Sequence, residues 1–141
     1  MEFLVTLITL SLFIGLLISP ILLLRFINRT NIKYKFIAYL TIGIFLTAIL
    51  TFLFAWWAYK SDLILLKHYG YDIDEVNEME FYGKVLPENM DKVKSLEISI
   101  MGIGWPLKAI LTFIFYLPYL LLIYGATYLI GLKTRKVHLQ Q

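Results

Sequence analysis

Residues 35–60 read KFIAYLTIGIFLTAILTFLFAWWAYK. Between Lys35 and Lys60 stand 24 consecutive residues without a charge. At about 1.5 Å of rise per residue, a helix of that length crosses the roughly 30 Å hydrocarbon core of a bilayer with some tilt. Two further stretches have the same character: residues 3–24 and 109–132 are also free of charge, and the three together occupy 70 of 141 positions. A soluble domain of this size cannot bury three such segments.

The composition fits that reading. Hydrophobic residues make up 60% of the chain and charged residues 16%, against about 25% charged in an average soluble domain. These features exclude a soluble enzyme and a nucleic-acid-binding domain. The absence of cysteine excludes a disulfide scaffold. The expected fold class is an all-α integral membrane protein, a single membrane domain over residues 1–141. Its parts are a first span at about 3–24, a loop at 25–35 and a second span at about 36–59. An extracytoplasmic segment at 60–104, a third span at about 105–132 and a tail at 133–141 follow. A cleaved signal peptide would need a basic start, a short apolar run and small residues at a cleavage site. The N-terminus instead carries Glu2, and Leu22, Leu23, Leu24 and Arg25 follow Pro20.

Loop charge sets the orientation. The first loop holds Arg25, Arg29, Lys33 and Lys35, and the tail holds Lys133, Arg135 and Lys136, with no acid in either. Residues 60–108 hold nine acids and six bases. Three spans put the first loop and the tail on one side, so charge and parity agree on an outside N-terminus and a cytoplasmic C-terminus. The expected location is the plasma membrane, in bacterial terms the inner membrane. Trp56, Trp57, Tyr59 and Trp105 serve as anchors at the outer interface, Phe26 and Tyr34 at the inner one. The net charge of +3 and the pI near 9.0 come from these flanks. The Asn28-Arg29-Thr30 sequon lies on the cytoplasmic side and carries no glycan.

Small residues recur four apart in two spans, as Ser11, Gly15 and Ser19 in the first and as Gly43, Thr47, Thr51 and Ala55 in the second. Positions i and i+4 share a helix face, and small faces let helix backbones approach closely in lipid. The stripes point to a specific helix pair, within the chain or between copies. Pro20 should leave the carbonyl of Leu16 without its backbone donor, and Pro118 should do the same to Ile114, bending each helix. The third span is aromatic. Its Trp105, Tyr116, Tyr119 and Tyr124 are the expected contact with a partner, since an aromatic face beside a polar rim is a common interface composition.

In the extracytoplasmic segment, Leu63 to Leu66 extend the second helix or lie on the membrane surface. Asp72 and Glu75 have capping-box spacing ahead of a helix with Ile73, Val76 and Met79 inward. Pro87 opens another helix, although Leu96, Ile98 and Ile100 also alternate as in a strand. The acids Asp72, Asp74, Glu75, Glu78 and Glu80 fail the EF-hand pattern, because its fifth, sixth and twelfth places hold Val76, Asn77 and Gly83. They read as a solvated helix face.

No Asp, Glu, Lys, Arg or His falls in the three uncharged stretches. Charges in spans mark proton relays and transport paths, so a transporter carrying its own chemistry is not expected. The two histidines, His68 and His138, fall on opposite sides. Neither a metal site, a catalytic set nor a cofactor is expected, and no nucleic acid. The expected activity is protein–protein interaction in the membrane, as an accessory or assembly subunit or a small effector. The expected partners are membrane lipids and either another integral membrane protein or a second copy. Bacteriocin-immunity and phage superinfection-exclusion proteins are built on similar lines, but no motif of either is present. Two alternatives stand beside it. One is a holin-like pore-forming oligomer, by topology alone and with an unusually long outer segment. The other is a lipid- or quinone-binding subunit of a membrane enzyme.

Overall fold

A computed structural model describes residues 1–72 and 81–138, those beyond 130 by backbone alone. The described chain is helical throughout. Helix α1 spans Glu2–Arg29 and α2 spans Lys35–His68. A 3-10 turn at Pro87–Asn89 leads into α3, Met90–Met101, and α4 spans Trp105–His138. Three of these helices are long and apolar enough to cross a membrane. The short helix α3 lies between α2 and α4, and the strand alternative for residues 96–100 does not occur. The proposed Asp72–Glu75 cap, the helix through Ile73, Val76 and Met79, and the acids from Asp74 to Glu80 fall wholly or partly outside the described residues.

Helix α2 is the centre of the bundle and packs against α1, α3 and α4. One core is shared by the three long helices. Leu16, Leu23, Leu24 and Ile27 of α1 enclose Tyr39 of α2 together with Tyr116 and Leu120 of α4. The small face of α2 lies inward: Gly43, Thr47, Thr51 and Ala55 are all buried. Leu23 and Leu120 close on Gly43, 3.5 and 3.7 Å from where a β-carbon would start. The outer surface of the bundle is apolar, with Phe115 79% and Phe45 68% exposed.

Beyond residue 59, α2 continues unbroken to His68, so Leu63–Leu66 extend the helix. Its end is fixed by Gly70, whose φ of +86° only glycine adopts at no steric cost. The amide of Gly70 donates to Lys67 and that of Tyr71 to Leu66, at 3.2 and 3.0 Å, which is the Schellman pattern. The hydrophobic partners of that pattern, Leu66 and Tyr71, are buried together with Val85 and Val93 in a second core. This core packs residues 69–72 and 81–101 as a small folded head on the end of α2. Glu97 sits within it and accepts from the hydroxyls of Tyr71, at 2.9 Å, and of Tyr82.

Polar clasps join the head to the long helices, and α2 to α1. The Ser99 hydroxyl donates to Asp62 of α2 at 2.7 Å. Lys108 of α4 donates to the Ser99 carbonyl at 2.8 Å. Trp57 of α2 donates to Thr9 of α1 at 3.0 Å.

Candidate functional site: the open face of α1 and the cleft at its start

Of the tyrosines of α4, Tyr116 is buried, Tyr119 and Tyr124 are half-buried, and Tyr128 is exposed. Tyr116 is 6% exposed, and its hydroxyl donates to the carbonyl of Leu16. That is the carbonyl which Pro20 leaves without a backbone donor. One turn later, the Tyr119 hydroxyl donates to the carbonyl of Leu17 at 2.9 Å. Tyr124 packs on Phe36 and Tyr39, with ring centroids 4.9 and 5.4 Å apart. Tyr39 donates to the Leu120 carbonyl at 3.1 Å. Trp105 sets its ring edge-on to Phe52 at 5.0 Å. All four residues expected at a partner contact, Trp105, Tyr116, Tyr119 and Tyr124, make contacts within the chain; Tyr116 is buried by them and the other three stay half-buried. The surface that α4 presents outward is instead aliphatic with Phe115, including Ile114, Leu121 and Leu122.

The two small-residue stripes also part company. Those of α2 are buried. In α1, Ser11 and Gly15 are exposed, and a β-carbon at Gly15 would meet nothing within 4 Å. Ser19 alone of that stripe reaches another helix, 3.5 Å from the Tyr116 hydroxyl. The two small faces thus do not meet each other within the chain. The reason lies one position away, where the bulky Leu16, Leu23, Leu24 and Ile27 occupy the inward face of α1. Ser11 returns its hydrogen bond to the Leu7 carbonyl at 2.8 Å, so its polarity is absorbed by its own helix and the face stays smooth.

A second feature lies where α1 begins. Glu2 accepts from Lys92 of α3 at 2.9 Å and from the hydroxyl of Tyr69. The ammonium of Lys92 also stands 5.4 Å from the Tyr69 ring centre, a cation–π distance. These three groups rim a cleft of about 460 Å³ between α1, α2 and α3, which Asp91, Leu65 and Leu96 also line. Hydrogen bonds from Tyr69 and Lys92, with the charge of Lys92, hold the Glu2 carboxyl below its ordinary range. The same carboxylate pushes the Lys92 ammonium up. Burial first, then the bond to Glu2, pushes Tyr69 up. Sequence reasoning passed over Glu2, Tyr69 and Lys92. The signals were present: Glu2 is the only charged side chain before Arg25, and Lys67-His68-Tyr69-Gly70 reads as a helix end.

Arg25, Arg29, Lys33 and Lys35, the basic residues expected to set the orientation, are all exposed around the short turn between α1 and α2. Lys35 there donates to the Asn28 carbonyl at 3.2 Å. Lys133, Arg135 and Lys136 lie on the last turns of α4, where the backbone alone is described. Among the described residues no group of three His, Cys, Asp or Glu side chains is placed to hold a metal. No protein-family model, curated protein or solved structure matches the chain.

Proposed function

We propose that the chain is a small multi-pass protein of the plasma membrane, in bacterial terms the inner membrane, with its N-terminus outside and its C-terminus in the cytoplasm. It acts by binding an integral membrane protein, as an accessory subunit or a small effector. One observation carries the reading. The face of α1 at Ser11 and Gly15 is small and open, while the adjoining face of the same helix is filled by the bundle core. In lipid, where apolar side chains gain little by leaving their surroundings, close backbone approach over small residues is a main source of helix–helix affinity. The charge partition between the loops supports the orientation, and the apolar outer surface supports insertion. The head, clasped to the bundle by Asp62, Ser99 and Lys108, gives the contact a polar part outside the bilayer.

Affinity purification of the full chain from its native membrane, with and without Gly15→Leu, tests the reading. A stoichiometric membrane partner, or a dimer, that is lost in Gly15→Leu supports it. Retention of the same complex by the variant overturns it. Large homo-oligomers accompanied by membrane leakage would mark a pore former instead.

A further inference from the structure

The cleft at the start of α1 is chemically unlike the rest of the surface. Its carboxylates are only partly used. Both Lys92 and Tyr69 bond to the same oxygen of Glu2, Oε1, and Oε2 has no partner among the described residues. Asp91, on the same rim, has no hydrogen bond or ion pair among them either. Two carboxylates therefore share the rim with the Lys92 ammonium, the N-terminal ammonium also acts on Glu2, and acceptor atoms of both carboxylates remain free. The walls beneath it are apolar, Leu65 from α2 and Leu96 from α3. The volume of about 460 Å³ lies within the roughly 300–1,000 Å³ common for small-molecule sites.

We propose that this cleft binds the phosphoethanolamine headgroup of a membrane phospholipid. The proposal rests on the membrane placement given above, which sets the start of α1 at the height of the headgroups. The primary ammonium of the lipid donates to Glu2 Oε2 and to Asp91. The phosphate takes the hydrogen-bonding capacity that Lys92 retains beyond its bond to Glu2, and the glycerol end lies over Leu65 and Leu96. The same chemistry disfavours the common competitors. A choline group has no N–H to give the two carboxylates, and it is recognised instead by aromatic faces. Here the single ring on the rim, Tyr69, already faces Lys92. A phosphatidylglycerol headgroup has no ammonium to give the two carboxylates, whose free oxygens would be left facing its phosphate.

Native mass spectrometry on the detergent-solubilised full chain, offered equal amounts of phosphatidylethanolamine, phosphatidylcholine and phosphatidylglycerol, tests this. At least about 5-fold more ethanolamine adduct than either competitor is expected, in line with charge-assisted hydrogen bonds at a partly exposed site. Asp91→Asn should bring that adduct down to the level of phosphatidylcholine, and Asp91→Glu should retain the preference. Equal retention of the three lipids, or a preference unchanged in Asp91→Asn, overturns the proposal. So does displacement of the lipid by an equal concentration of water-soluble glycerophosphoethanolamine, which would mark a site for the free compound. Recovery of the chain in the soluble fraction of lysed cells would instead remove the membrane reading on which the proposal stands.

Discussion

The hydroxyl of Tyr116 donates to the carbonyl of Leu16, one hundred positions away in the chain and the one carbonyl of α1 that Pro20 deprives of its backbone donor. Ser19 stands by as a second donor to the same oxygen, at 3.0 Å. A helix interrupted by proline in an apolar surrounding needs such a substitute, because a bare carbonyl there is costly. The third helix supplies it.

Removing the Tyr116 hydroxyl should therefore cost little by itself. Tyr116→Phe is expected to lower stability in detergent by about 1 kcal/mol or less, since interhelical hydrogen bonds in membranes average near 0.6 kcal/mol and Ser19 remains. Combined with Ser19→Ala, the loss should exceed the sum of the two single changes, because the Leu16 carbonyl then has no donor left. A double-mutant cycle on thermal or denaturant unfolding measures this. Strict additivity would show that the carbonyl does not need the tyrosine.

The two glycines of the small stripes should respond in opposite ways to the same substitution. Gly43→Leu forces a side chain between Leu23 and Leu120 and should destabilise the bundle by about 1–3 kcal/mol, the usual range for overpacking. Gly15→Leu points into open space and should leave monomer stability within about 0.5 kcal/mol. Equal destabilisation by both would contradict the placement of α1.

At Gly70, alanine meets two obstacles. The φ of +86° is unfavourable for any side chain, and a β-carbon would come within 2.5 Å of the Lys84 carbonyl. Gly70→Ala should destabilise the head by at least about 2 kcal/mol. Hydrogen exchange is the measure. Amides around Val85 and Val93 should lose protection while those around Tyr39 and Leu120 keep theirs. Uniform loss would mean that head and bundle unfold as one unit.

The clasp between α1 and the head should be limited by pH at both ends. The Glu2 carboxyl titrates below its ordinary 4.5 when folded. Its contribution is therefore complete above that value and is lost as pH falls through the lowered one. Lys92 titrates above its ordinary 10.5, so its contribution is complete below that value and is lost as pH rises through the raised one. Both groups are exposed, and salt should weaken the clasp. Exchange of the first amides of α1 should be flat from pH 5 to 10 after correction for intrinsic rates, and should rise outside that window and at high ionic strength. An exchange rate indifferent to salt would argue against the contact.

Orientation is read most directly by chemistry on intact cells. Single substitutions Asn31→Cys, Asn77→Cys and Gln140→Cys are each unique thiols, since the chain has no cysteine. An impermeant reagent should label only the variant at position 77. Labelling at position 31 or 140 would reverse the topology.

The helices were plain in the sequence because long uncharged runs are a strong signal, and the leucines at 63, 65 and 66 already hinted that α2 runs on. The debt of Pro20 to Leu16 was also legible, since it follows from covalent structure. Its settlement by Tyr116 was not, because nothing local ties residue 116 to residue 16. The burial of Tyr116 was not legible either, for a related reason. In lipid, the interior and the surroundings of a bundle are about equally apolar, so α4 carries no compositional mark of its buried side. The stripe of α2 was informative because backbone proximity selects small residues. The same spacing in α1 left Ser11 and Gly15 exposed, since pattern alone does not say which face a neighbour takes. The cleft was hidden because Glu2 and Lys92 are ninety residues apart and meet only through the fold of the head.

The continuity of α2 gives the molecule the mechanics of a rod through a collar. Its 34 residues make a shaft about 51 Å long, held by Leu23 and Leu120 around Gly43, by Trp105 on Phe52 and by Thr9 on Trp57, and loaded at its far end by the head. With no break between Lys35 and His68, a sideways push on the head is passed down the shaft to the contacts at Trp57, Phe52 and Gly43 together instead of being absorbed at a hinge.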